Sequence, residues 1–391
     1  MTGEGDSKGY SDDHLWIIFA AILYLKETGD FAFLDEVVPY ADNKGQATVY
    51  QHLKKAVEFS LKNVGPHGLP LAGFADWNDT INLDRGKGKA ESVMVAQLLG
   101  KALLDLEELA SFIKKNQEAE NFRKEYEKIK AATNKYCWDG QWYCRAFDDN
   151  GKLLGSKKCP QGKIFLETQA WGILSGFAGS DRASKISQSV KKILDTKYGI
   201  MLMFPGYTRF DPEKGGVTTY PPGAKENAGI FLHANTWMIV AETLLGHGNL
   251  AYKYHQQLSP ITRNDISEIY QIEPYVYAQN ILGKEHPLFG MGRNSWLSGT
   301  ASWAMLATSE YILGIRPAYQ GLIVDPCIPS SWKKLEVRRV FRGAEYQIKI
   351  KNPKGISKGV KQLLVNGRKI PGNLIPSFPK GSQNKIEVTI G

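Results

Sequence analysis

The sequence predicts a mainly α protein: a ring of paired helices with long loops at one end, followed by a small antiparallel β domain. Three observations predict it. Helical periodicity dominates the chain up to Gly314. Long loops rich in Gly, Asn, Asp and Trp recur on alternate helix connections, with short turns between them. Beyond Gly314 the texture changes to short β-branched stretches divided by Gly, Pro and Asn.

The first helix is predicted over 12–28. Ser11-Asp12-Asp13 gives an N-cap signal, and Leu15, Ile18, Phe19, Ile22 and Leu23 fall on one face. A second helix fits 48–63 and stops at Gly65-Pro66. Residues 91–113 and 118–136 read as long amphipathic helices, with Leu and Ala inside and Lys and Glu outside. Further helices fit 166–176, 182–196, 229–245, 249–258, 277–281 extended a little, and 299–313. The loops between them are too long to be filler, so function is sought there.

In the last part, residues 321–326, 336–341, 344–351, 360–365 and 384–390 alternate as strands do. Val365-Asn366-Gly367-Arg368 carries the Asn-Gly hairpin signature. The reading therefore divides the chain into a helical catalytic domain, 1–314, and an antiparallel β domain, 315–391, that buttresses it.

Composition removes several function classes. The chain of 391 residues is 42% hydrophobic, enough to bury a sizeable core, and is not expected to be disordered. No run approaches about 18 uninterrupted apolar residues, so no transmembrane helix is expected. The opening MTGEGDSKGY lacks the apolar run of a secretory signal. The net charge is +9, but Lys and Arg are spread along the chain, largely on amphipathic helices, as at Lys114-Lys115 and Lys191-Lys192. Neither nucleic acid nor membrane is an expected partner. Cys137, Cys144, Cys159 and Cys327 show neither CxxC nor zinc spacing. They read as thiols of a reducing compartment, the cytoplasm.

Three loops carry chemistry. In Gly73-Phe74-Ala75-Asp76-Trp77-Asn78-Asp79, two carboxylates flank a Trp and an Asn. On one helical turn they share a face; on a loop, one bonds backbone amides while the other faces a ligand. An Asp beside an indole suits a general acid, because apolar burial raises its pKa. The run Tyr220 to Gly229, YPPGAKENAG, feeds a helix bearing His233, Asn235 and Trp237. His233 reads either as a satisfied core residue or as a donor to an anion at the helix N-terminus. In Arg293-Asn294-Ser295-Trp296-Leu297-Ser298-Gly299-Thr300, Ser298 and the Gly299 amide read either as an anion nest or as a plain N-cap. GxxxxGK[ST], GxSxG, HExxH and GxGxxG are all absent. The loop aromatics beside Gly, Asn and Asp suit sugar stacking and core packing equally.

These stretches resemble the inverting sugar phosphorylases of glycoside hydrolase family 94, most closely its cellobiose phosphorylases. The resemblance rests on SDDHLW (11–16), KETGDFAFLDE (26–36), GPHGLPLAGFADWNDTINL (65–83), GKIFLETQAWGILSG (162–176), YPPGAKENAGIFLHANTW (220–237), EPYVYAQNILGKEHP (273–287), NSWLSGTASW (294–303) and LGIRPAYQGLIVDPCIP (313–329). It spans nearly the whole chain in family order.

The resemblance implies an (α/α)6 barrel followed by a small β domain, with the first barrel helices lacking. It implies that Asp79 is the general acid and that Trp77 lines the subsite of the transferred sugar. Glu226 and Gln279 contact sugar hydroxyls, while His233, Ser298 and Gly299 bind phosphate, with Ser298 standing where Thr is commoner. The implied reaction is phosphorolysis of a β-linked disaccharide, cellobiose first and N,N′-diacetylchitobiose or another β-glucobiose next. Inorganic phosphate is the co-substrate, with no metal or organic cofactor, and a homodimer is an assembly it allows. The family's upstream β-sandwich, linker and first helices carry an Arg and an Asp for the sugar and an Arg for phosphate. None has a counterpart here, so a carbohydrate-binding fragment without turnover is a second reading. A third is an (α/α)6 hydrolase using Glu226 as base, which requires it roughly 6.5–9.5 Å from Asp79.

Overall fold

The structure, a computed structural model, describes residues 9–42 and 44–391; the opening segment read above for a signal lies outside them, apart from its last two residues. Its helices are α1 (Asp13–Thr28), α2 (Val49–Lys62), α3 (Val93–Phe112), α4 (Asn116–Tyr136), α5 (Leu166–Leu174), α6 (Ser180–Ile193), α7 (Leu232–Leu244), α8 (Gly248–Leu258), the single turn α9 (Ser267–Tyr270) and α10 (Thr300–Leu306). The last continues as a π-helical turn, Ala307–Ile312.

Burial sorts these helices into two layers. α3, α5 and α7 are buried on nearly every face, whereas α2, α4, α6 and α8 keep a polar outer face. α1 packs on α3, α3 on α5, α5 on α7 and α7 on α10, while α2, α4, α6 and α8 back α1, α3, α5 and α7 in turn. Trp16 of α1 then meets Trp303 of α10, ring centroids 6.4 Å apart. The described residues thus supply five inner helices. At their centre Trp16, Trp171, Trp237 and Trp303 all touch one another, with centroids between 5.5 and 6.4 Å apart. Each comes from a different inner helix, so one aromatic hub ties the arc together.

One predicted helix is a strand. Residues 277–281 form Ala278–Ile281, paired on one side with Ile230–Phe231 and on the other with Gly292–Ser295. Five residues are too few to show a period, and two flanking strands supply the ladder. The Ser11-Asp12-Asp13 cap also departs from expectation. Asp12 makes no side-chain cap bond; its carboxylate accepts from the Trp16 indole at 2.7 Å.

The last part is a mixed sheet, not a purely antiparallel one. Its order is Lys334–Phe341, Ala344–Lys351, Gln383–Ile390, Val360–Val365 and Arg368–Ile370. Gln383–Ile390 runs parallel to Ala344–Lys351 and antiparallel to Val360–Val365. Alternation marks a strand but carries no information about a neighbour's direction. The Asn-Gly hairpin forms as read, with Val365 opposite Arg368 and both turn residues at positive φ. A second sheet joins Ile315–Ala318, Gly321–Val324 and Leu374–Pro376. Arg339 grips both Glu27 oxygens, Arg342 donates to the Lys26 carbonyl, and Lys358 to that of Thr243. These bonds fasten the sheets to the C-terminal ends of α1 and α7.

Candidate active site

The long loops deliver the chain to the N-terminal ends of the inner helices, so the positive ends of their dipoles gather at one mouth. The loop carrying Asp76, Trp77, Asn78 and Asp79 is stitched to three of those ends. Asp76 accepts from Ser92, the N-cap of α3, at 2.7 Å. Asn78 donates to Glu167 in the first turn of α5 at 3.0 Å. Trp77 donates from its indole to His233 Nδ1 in the first turn of α7 at 3.3 Å.

Of the two readings of the paired carboxylates, the loop reading holds. Asp76 is 2% exposed and takes a two-pronged bond from Arg145, at 2.6 and 2.8 Å. It also accepts from the Asn78 amide at 3.0 Å, which folds the chain into an Asx turn. Asp79 then emerges exposed, its carbonyl held by Asn82 at 2.9 Å. Apolar burial of Asp79, expected from the neighbouring indole, is therefore not found: the Asx turn aims the indole inward and the carboxyl outward. Buried instead is Glu226, whose Oε2 has no hydrogen-bond partner in the protein. Burial pushes the Glu226 carboxyl above its ordinary value, against the pull of its own backbone amide and Lys225, and the nearby Asp79 charge adds to the rise. Tyr220 is raised in the same way, by burial and then by Glu226 and Asp79. Asp79, Glu226 and Tyr220 thus share one field.

An indole N–H only donates, so His233 Nδ1 is the acceptor and the proton of the neutral ring sits on Nε2. That Nε2 is buried and has no protein partner. Burial pulls the imidazole down to about 4, so near neutrality it is an uncharged donor. Gly299 lies against this ring: a Cβ there would stand 3.0 Å from Cε1 and 3.2 Å from Nδ1. Ser298 is not the N-cap, a place that Gly299 takes without a side-chain bond; its oxygen accepts from the Thr300 amide at 3.0 Å in a local turn while bonding the Thr300 hydroxyl. Gln279, on the central strand of the small sheet, accepts from Asn294 at 2.8 Å. Through Ile230–Phe231 that strand adjoins the start of α7; of the seven candidate residues, Trp77, His233 and Gly299 are in contact, Asp79 and Glu226 share a field, and Gln279 and Ser298 adjoin them along the chain and the sheet.

Arg145 and Glu167 escaped the sequence reading. Both are fully buried, with Arg145 Nε 3.7 Å from Glu167 Oε1. Three buried carboxylates, Asp12, Asp76 and Glu167, surround that one guanidinium. Burial, then the Asp76 charge, pushes Asp12 up to about 7, and burial raises Glu167. The signal was an ionisable side chain inside an apolar run, as in Tyr143-Cys144-Arg145-Ala146-Phe147 and Ile164-Phe165-Leu166-Glu167. Charges placed there have to be paired. Among the described residues no group of three or more His, Cys, Asp or Glu side chains is arranged to hold a metal ion, and no helix is long and apolar enough to cross a membrane.

Comparison with known proteins adds a family. Residues 2–314 match the model of the glycosyl hydrolase 94 superfamily, catalytic domain. The chain is 41% identical over 383 residues to an N,N′-diacetylchitobiose phosphorylase of Vibrio proteolyticus, covering 97% of this chain and 47% of that one. It is 37% identical over 380 residues to a solabiose phosphorylase of Paenibacillus borealis, covering 97% and 49%. This chain therefore spans about half the length of these relatives. Among solved structures, a family 78 rhamnosidase of Bacillus sp. GL1 superposes with a TM-score of 0.54 at 14% identity, over 96% of this chain and 34% of that one, a likeness of fold alone.

Proposed function

The chain belongs to the glycosyl hydrolase 94 superfamily, and from that premise we propose that it performs the inverting phosphorolysis of a β-linked disaccharide. The observation that carries the reading is His233. Its neutral ring presents a buried, otherwise unpartnered Nε2–H among converging helix N-termini, beside Gly299, whose lack of a side chain leaves the ring in place. A phosphate anion suits that donor and those dipoles. An inverting hydrolase needs a carboxylate base to activate water; phosphate is already an anionic nucleophile and needs none.

In this reading a phosphate oxygen attacks C1 of the transferred sugar as the bond from C1 to the leaving oxygen breaks. A carboxyl gives its proton to that oxygen. The products are an α-sugar 1-phosphate and the free acceptor sugar. Asp79 is the proposed acid, Trp77 lines the transferred sugar, and Glu226 and Gln279 bind hydroxyls. The ring of helices is proposed to be an (α/α)6 barrel. For the substrate, the 41% identity to an N,N′-diacetylchitobiose phosphorylase puts that disaccharide ahead of cellobiose.

One observation favours a second assignment within the same reaction. Glu226 is the carboxyl that burial raises above its ordinary value, whereas Asp79 is exposed. Sugar 1-phosphate release is to be measured for Asp79→Asn and Glu226→Gln, on the disaccharide and on the matching β-glycosyl fluoride. Fluoride leaves without a proton, so only the variant lacking the acid regains turnover on it. Rescue of Glu226→Gln instead of Asp79→Asn reverses the assignment. Product formation by the unsubstituted chain that ignores phosphate overturns the phosphorolytic reading.

A further inference from the structure

We propose that Trp296 and Tyr275 form an outer sugar platform at the rim of this mouth, which takes the third pyranose ring of a β-linked oligosaccharide on its acceptor side. The proposal rests on the phosphorolytic reading for its direction. If one terminal sugar is held at the acid, the rest of the substrate has to leave toward solvent across the rim.

Tyr275 and Trp296 are 74% and 72% exposed, a costly placement for rings of that size. Trp296 is held in place. The Trp296 indole donates to Glu273 at 3.0 Å. Its backbone, and that of Asn294 two residues earlier, lie at φ of 64° and 53°, a conformation that non-glycine residues seldom adopt without a reason. Chain connectivity ties the pair to the site. Asn294, in the strand just before Trp296, donates to Gln279, and Ser298 follows two residues later.

The arrangement has the chemistry of a sugar site. The two rings stand 6.2 Å apart at 65°, so they make a notch and not a flat apolar patch. A pyranose offers one face of C–H groups to an indole and directs its hydroxyls sideways. The Tyr275 hydroxyl and the Glu273 carboxylate are the partners present for those hydroxyls.

The test is equilibrium binding by calorimetry, without phosphate, of the full chain to di- and trisaccharides of the β-linked glucose and N-acetylglucosamine series. In one series the trisaccharide is expected to bind about three- to tenfold more tightly than the disaccharide, the worth of one aromatic contact. In Trp296→Ala that ratio is expected to fall to about one, and in Trp296→Phe to recover most of its value. Equal affinities in the unsubstituted chain, no binding in either series, or a ratio that survives Trp296→Ala overturns the platform. So does a shift in sedimentation on Trp296→Ala with the ratio intact, which would make the pair a contact between protein chains. Because no turnover is involved, failure of phosphorolysis registers separately, in the sugar 1-phosphate assay.

Discussion

Trp77 and His233 are joined by a bond that runs one way: the indole N–H can only donate, so the imidazole is left with its proton on Nε2. The residue that lines the proposed sugar subsite thereby sets the tautomer of the residue proposed to meet phosphate. The proposed sugar and anion sites are thus coupled through a single hydrogen bond.

His233→Ala removes that donor. A hydrogen bond to a charged group is worth about 1.5–3 kcal/mol, so the phosphate KM should rise about tenfold to a hundredfold, with a smaller change in the disaccharide KM. His233→Gln, whose amide nitrogen reaches toward the place of Nε2, should recover part of the loss. Initial rates across a phosphate series decide it; an unaltered phosphate response removes His233 from the site.

Gly299→Ala tests the same ring from its other side. The residue has an ordinary φ of −75°, so the backbone accepts a side chain. The new methyl would stand 3.0 Å from the imidazole and push it aside. The phosphate KM should rise while the melting temperature moves by only a few degrees. A fall in thermal stability without a kinetic change would show the contact to be packing alone.

Arg145→Ala strips the partner from a buried carboxylate, a change that costs about 3–5 kcal/mol. Urea unfolding should show that loss. Turnover by the folded fraction should fall as well, since Asp76 no longer fixes the Asx turn that presents Asp79. Retention of full specific activity in the folded fraction would separate the ion pair from the chemistry.

Asp12→Asn should stabilise the protein at pH 8. Burial beside Asp76 lifts the Asp12 pKa to about 7, above its ordinary value near 3.8, so the folded state binds the extra proton between those limits. Stability therefore falls as pH rises through that window, and the amide, which cannot ionise, escapes the loss. The gain is on the order of 4 kcal/mol at pH 8 and should vanish as pH falls toward 4. Paired denaturation curves across pH 4–8 measure it; a gain that does not vary with pH excludes titration of Asp12.

The helices were legible because their buried faces repeat over many residues, as in the run from Ser180 to Ile193. Ala278–Ile281 was not, because a strand of four residues takes its state from the strands beside it. The motif loops announced themselves by composition, with Gly and Asn beside Trp and Asp. Which member of a motif is buried was hidden, since the ion pair and hydrogen bond that hold Asp76 inside come from distant Arg145 and Ser92. The parallel pairing of Gln383–Ile390 was likewise beyond reach, because strand direction is a property of the assembled sheet.

The four mutually touching indoles of Trp16, Trp171, Trp237 and Trp303 have an optical consequence. Chromophores this close share their excited states, and each belongs to a different helix. Their coupled circular dichroism therefore depends on the relative orientation of α1, α5, α7 and α10 together, so any substitution that lets one helix drift should alter the band shape before helix content changes.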